Sequence, residues 1–67
     1  MALPDIDGRL PGWVAWVAQD ADGVWWGYEV EPLQYHCGWY ENEVGRRVEI
    51  QHDAPNHRWA DTLRRVP

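Results

Sequence analysis

Three things are scarce in this chain of 67 residues: it has one cysteine, and it has neither lysine nor phenylalanine. The lone Cys37 excludes an internal disulfide, and the first residues lack the charged start, apolar stretch and small-residue cleavage site of a signal peptide. The expected compartment is therefore a reducing cytoplasm. No apolar run approaches the roughly 20 residues of a membrane-spanning helix, so no membrane role is expected. Positive charge is also short, with 6 Arg against 11 acidic residues and a formal charge of −5. Affinity for DNA or RNA comes mainly from neutralising phosphates, and direct nucleic-acid binding is accordingly not expected. Length leaves room for one domain, residues 1–67, near the lower limit for a self-sufficient core.

What is present is aromatic. Six Trp and three Tyr stand beside modest aliphatic material. Each buried ring contributes roughly 4–5 kcal/mol, from about 200 Å² at about 25 cal/mol per Å², so the rings carry most of the available core energy. Arg, Ala, Gly, Pro and Trp in place of Lys and Phe are what a GC-rich coding sequence yields, which suggests a bacterial or phage source. The charge is uneven: acids dominate residues 1–55, whereas residues 56–67 hold Arg58, Arg64 and Arg65 against Asp61. Such a distribution keeps a Trp-rich chain soluble and can attract a basic partner surface.

Residues 1–12, "MALPDIDGRLPG", follow neither a strand nor a helix period and read as an irregular arm, held by Leu3, Ile6 or Leu10. Residues 13–18 and 24–31 read as strands flanking "DADG". A three-residue loop, Ala21 to Gly23 with Gly23 left-handed, sets Asp20 opposite Val24, Ala18 opposite Trp26, Trp16 opposite Tyr28 and Val14 opposite Val30. One face then collects Val14, Trp16, Ala18, Val24, Trp26, Tyr28 and Val30, and the other takes Trp13, Trp25, Glu29 and Glu31. A one-residue slip would mix the faces, so burial selects this register. Pro32 ends the second strand. "GWYENE" and "RRVEI" are expected to add a third strand, or a third and a fourth, around a turn at Glu43 to Gly45, with Val48 and Ile50 inward.

The last segment reads as a helix over 56–65, with Asn56 as N-cap, Trp59, Leu63 and Val66 at i, i+4, i+7, and Asp61 set to pair with Arg65. The expected fold class is α+β: a small antiparallel sheet of three or four strands over 13–51, with one C-terminal α-helix packed on one face. Trp16, Trp26, Tyr28, Val48, Trp59 and Leu63 form its expected core, and Trp59→Ala is expected to be among the worst substitutions.

"WVAQDADGVWWGYE" at 16–29 and "WADTL" at 59–63 resemble a group of small uncharacterised phage and prophage proteins. That group has a Trp-led strand, an Asp-Gly turn, an aromatic pair with Tyr-Glu, and a C-terminal Trp-x-x-Ser/Thr-Leu helix. The matching positions are Trp16, Asp20, Asp22, Gly23, Trp25, Trp26, Tyr28, Glu29, Trp59, Thr62 and Leu63, under a third of the chain. Trp26 and Gly27 depart from the pattern, which has Tyr and Ala there. The resemblance implies a phage-related setting and no particular activity.

"DADG" has the first carboxylates of a calcium loop but neither the third nor the terminal Glu, and turn chemistry explains it. His36, Cys37, His52 and His57 match no zinc spacing, and adjacent His36 and Cys37 point to opposite faces of a strand. Cys37 would need a base and an orienting group to act as a nucleophile. Glu29 with Glu31 and Glu41 with Glu43 share a face when on strands, but so small a chain offers little pocket volume. The sequence therefore predicts no catalytic residue, metal ligand or cofactor. The face with Trp13, Trp25, Glu29 and Glu31 is the candidate protein-binding surface, unless the N-terminal arm covers it. The expected function is that of a non-enzymatic, phage-related accessory protein that binds a host or phage protein. Its alternatives are an acidic nucleic-acid mimic that blocks a DNA- or RNA-binding protein and a self-associating structural subunit, monomer or weak homodimer.

Overall fold

The computed structural model describes residues 10–41 and 44–67. Among them are six strands, β1 (Trp16–Gln19), β2 (Val24–Tyr28), β3 (Leu33–Tyr35), β4 (Gly38–Tyr40), β5 (Arg47–His52) and β6 (Arg64–Arg65), with a 3-10 turn at Trp59–Asp61. They form a four-stranded sheet in the order β5-β2-β1-β6 and a separate two-stranded hairpin, β3–β4. Every pairing is antiparallel.

The β1–β2 hairpin has the expected register, with Trp16 opposite Tyr28 and Ala18 opposite Trp26. The Asp20 N–H donates to the Val24 carbonyl at 3.0 Å and the Gly23 N–H to the Asp20 carbonyl at 2.9 Å. Gly23 has φ +97°, the left-handed conformation a bulged three-residue turn requires. The Val24 N–H donates to Asp22 Oδ1 at 3.0 Å, so the turn's aspartate satisfies the backbone it folds.

One expected pairing fails. Val14 does not continue opposite Val30, because the Ala15 N–H donates to the carbonyl of Tyr28, whose register partner is already Trp16. Two residues thus oppose one, and this β-bulge reverses the side-chain alternation. Val14 consequently packs with Val17 and Trp25 on the opposite layer from Trp16. A second irregularity sits between Trp25 and Trp26 on β2, where the partners step from Gln51 to Glu49 and leave Ile50 as the extra residue.

The α+β expectation is corrected: no α-helix occurs among the described residues, and the fold is all-β. Nor do the third and fourth strands meet each other as expected. β4 pairs with β3, and β5 crosses to pair with β2. The expected turn at Glu43 to Gly45, like the anchors Leu3 and Ile6, lies wholly or partly outside the described residues.

At 56–65 the expected helix and its Asn56 N-cap do not form: Asn56 Oδ1 accepts the Arg58 N–H at 2.9 Å in the turn before the 3-10 segment, which has no side-chain cap, and the chain makes only i to i+3 bonds before extending as β6. A helix of about ten residues is marginal alone. In its place β6 pairs with the outer edge of β1, opposite Trp16 and Val17, and the Val66 N–H donates to the Ala15 carbonyl. The residues on either side of β6 also supply both layers, Leu63 one and Val66 the other, which a helix on one face could not do. Asp61 pairs with Arg58 at 3.5 Å rather than with Arg65.

The sheet therefore carries two cores. Val14, Val17 and Trp25 form one, joined by Leu10, Trp13, Val48, Ile50 and Val66. Ala18, Tyr28 and Trp39 form the other, joined by Trp16, Trp26, Trp59 and Leu63. Five of the six expected core residues share this second layer, and Val48 lies in the first.

Candidate functional site

Pro32 cannot donate to a ladder, and beyond it the chain leaves the main sheet and doubles back as β3–β4. The strands are joined by two residues, His36 and Cys37, with Tyr35 opposite Gly38. Among the described residues no residue other than glycine has positive φ, so this turn is not the primed type that Asn-Gly and Asp-Gly loops form. That explains why the segment gives no hairpin signal in the sequence.

Alternation divides the hairpin. Gln34 pairs with Trp39 on one side, while Leu33, opposite Tyr40, and Tyr35, opposite Gly38, share the other. Trp39 is 5 % exposed, and its Nε1–H donates to the Gln19 carbonyl at 2.9 Å. Asp20 Oδ1 accepts the Trp39 backbone N–H at 3.0 Å, and the Ala21 N–H donates to the Cys37 carbonyl at 3.0 Å. Gly38 lies so close to this carboxylate that a Cβ there would stand 2.6 Å from Asp20 Oδ1. Burial raises the Asp20 pKa above its ordinary value, an effect that the Trp39 hydrogen bond opposes. Asp20 thus belongs to two structures at once, the turn of the first hairpin and the dock of the second.

The other side of β3–β4 is open. Leu33, Tyr35 and Tyr40 are 41 %, 42 % and 44 % exposed. Tyr35 meets Tyr40 edge to face, with ring centroids 5.7 Å apart, and His36 at 5.9 Å. The neighbouring Cys37 pushes the Tyr35 phenol above its ordinary pKa. Exposed Glu31 and Glu41 stand at the open end of the hairpin. Rings held by cross-strand contact, with carboxylates at the margin, have the anatomy of a protein-binding patch.

The residues expected to form such a patch are arranged otherwise. Trp25 is 2 % exposed, and its Nε1–H donates to Asp53 Oδ2 at 2.9 Å, so it is an interior residue. Trp13 is half-buried under the Arg46 guanidinium, which lies 4.5 Å from the ring centroid. The same guanidinium donates to Glu29 at 3.0 and 3.4 Å, and the Arg46 backbone N–H donates to it at 3.0 Å. These hydrogen bonds lower the Glu29 pKa. Trp13 and Glu29 are brought together, then, but through an arginine that already occupies both. Glu31 alone of the four is exposed. Leu10 packs on the layer that holds Trp13 and Trp25; residues 1–9 of the expected arm lie outside the described residues. The pattern Leu33, Tyr35 and Tyr40 was the sequence signal for the open face, hidden by the unmarked turn.

Among the described residues no three His, Cys, Asp or Glu side chains gather as metal ligands would, and no helix is long and apolar enough to cross a membrane. No known protein family, characterised protein or solved structure matches the chain.

Proposed function

We propose that this protein is a non-catalytic binding module that docks another protein on the open face of β3–β4. Leu33, Tyr35 and Tyr40 are the anchors, and Glu31 and Glu41 form an acidic margin that favours a basic rim on the partner. One observation carries this reading: a chain that turns its indoles inward or roofs them with arginine leaves two of its three tyrosines and a leucine on one hairpin face. Tyr supplies contact area at a small cost in side-chain entropy, which suits it to such anchors. The resemblance of the first hairpin to small phage proteins supports a phage-related setting, and the lone Cys37 supports a reducing cytoplasm as its compartment.

The nucleic-acid mimic is the weaker alternative. A mimic needs unpaired carboxylates arrayed like phosphates, whereas Glu29 is bonded to Arg46, Asp53 to Trp25, Glu49 to His52 and Asp61 to Arg58. Capture from bacterial lysate with wild type and with the double variant Tyr35→Ser/Tyr40→Ser separates the readings. Capture that survives high salt and disappears in the double variant is expected. Capture that vanishes with modest salt and ignores the tyrosines would instead support the mimic.

A further inference from the structure

The four-stranded sheet has two outer edges, and they differ. β6 is two residues long, whereas β5 has six residues and no neighbour on its outer side among the described residues. The Glu29 N–H donates to the Arg46 carbonyl, so Arg46 and, by the ladder's period of two, Val48 turn their backbone groups toward β2. Arg47 and Glu49 therefore turn theirs outward, and both are exposed. Past Glu49 the extra residue Ile50 bends the strand, which confines any regular ladder to this short stretch.

We propose that this edge pairs antiparallel with the same edge of a second copy, about a two-fold axis through Val48. Backbone geometry and charge together select that axis. An axis between residues would set an outward-facing residue against an inward-facing one, and no ladder forms. An axis through Arg47 opposes two arginines, and one through Glu49 opposes two glutamates; both are disfavoured. Centred on Val48, each Arg47 stands opposite the copy's Glu49, twice over by symmetry, and the two Val48 side chains meet.

Both charged side chains are already partly held. The Arg47 guanidinium rests 4.7 Å from the Trp26 ring centroid, a contact that restricts the side chain's freedom. Glu49 binds His52 through Oε1 at 2.6 Å, and in the dimer the copy's Arg47 pairs with its other oxygen. The same alternation acts against the adjacent in-phase pairings, because the registers centred on Arg47 and on Glu49 bring like charges together.

Sedimentation velocity from micromolar to millimolar concentration tests the proposal. Wild type is expected to dimerise reversibly, Glu49→Arg to weaken dimerisation by about tenfold or more, and Arg47→Glu/Glu49→Arg to restore it, since the exchange preserves both pairs. Tryptophan fluorescence confirms that each variant is folded. Amide hydrogen exchange of wild type supplies a reading free of substitution: the Arg47 and Glu49 amides should gain protection as concentration rises. A strictly monomeric wild type, a dimer indifferent to Glu49→Arg, or one lost only in Tyr35→Ser/Tyr40→Ser would overturn the proposal. That last variant also keeps this surface distinguishable from the hairpin face.

Discussion

Three arginines lie over three tryptophans, Arg46 on Trp13, Arg47 on Trp26 and Arg65 on Trp16, with separations of 4.5, 4.7 and 5.8 Å. Each of these indoles is half-buried, so a planar cation covers the ring surface that the core leaves open. An ammonium could not cover it in the same way, since it presents no flat face. Two single positions give sharper tests. Gly23 has φ +97°, and a Cβ there would meet the carbonyls of Asp53 and Ala54. The positive φ alone costs an ordinary residue about 1–2 kcal/mol, so Gly23→Ala should lower stability by more than that in urea unfolding. Tyr28 is 1 % exposed, and its hydroxyl has no hydrogen-bond partner among the described residues. Removing an unsatisfied buried polar group is neutral or favourable, so Tyr28→Phe should hold or raise the unfolding midpoint, by up to about 1 kcal/mol. A clear loss would mean that the hydroxyl is satisfied after all.

At the scale of elements, the segment after Trp59 shows how an edge recruits its partner. Thr62 is 3 % exposed; its Oγ1 accepts the Gln19 N–H at 2.8 Å and donates to the Trp59 carbonyl at 2.6 Å. It ends the 3-10 turn and extends the cover of β1 to Gln19, two residues past the last pairing with β6. Thr62→Val keeps the shape but leaves a buried N–H unpaired, and thermal or urea unfolding should register a loss of about 1–3 kcal/mol. Burial also reorders the tryptophans. Trp25→Ala should cost about 3–5 kcal/mol, and Trp59→Ala less, because Trp59 is only half-buried against Trp39. Equal losses in the two variants would show that the last turn matters more than its exposure implies.

For the molecule as a whole, acid and base act on different joints. Burial raises the Asp20 pKa above 3.8, so the folded chain holds that proton more tightly than the unfolded chain. Its contribution is complete below 3.8 and is lost as pH rises through the raised value. Glu29 has the opposite sign: Arg46 lowers it from 4.5, so its contribution is present above 4.5 and is lost as pH falls through the lowered value. His52, raised above 6.5 by Glu49, contributes fully below 6.5, and that contribution fades as pH climbs past the raised value. Urea unfolding across this range should show wild type gaining on Asp20→Asn as pH is lowered toward 3.8. Against Glu29→Gln, wild type should lose ground below 4.5. A difference from either variant that does not change with pH would contradict the corresponding assignment.

The chain by itself determined what lies near in sequence. The Asp-Gly turn, its left-handed glycine and the pairing of Trp16 with Tyr28 and Ala18 with Trp26 follow from local turn chemistry and from the need to keep rings on one side. Tertiary structure decided the rest. Periodicity at Trp59, Leu63 and Val66 records which residues are apolar, and it cannot say whether one face or two will receive them; the unpaired edge of β1 settled that in favour of a strand. Trp25, placed on the wet side by alternation, became interior because β5, Leu10 and Val66 arrived to cover that side. The open face of β3–β4 emerged for a matching reason: Asp20 and Gln19 claimed Trp39, and no described segment remained to cover Leu33, Tyr35 and Tyr40. Pattern records preference for burial, whereas which preferences are met depends on contacts between segments far apart in the chain.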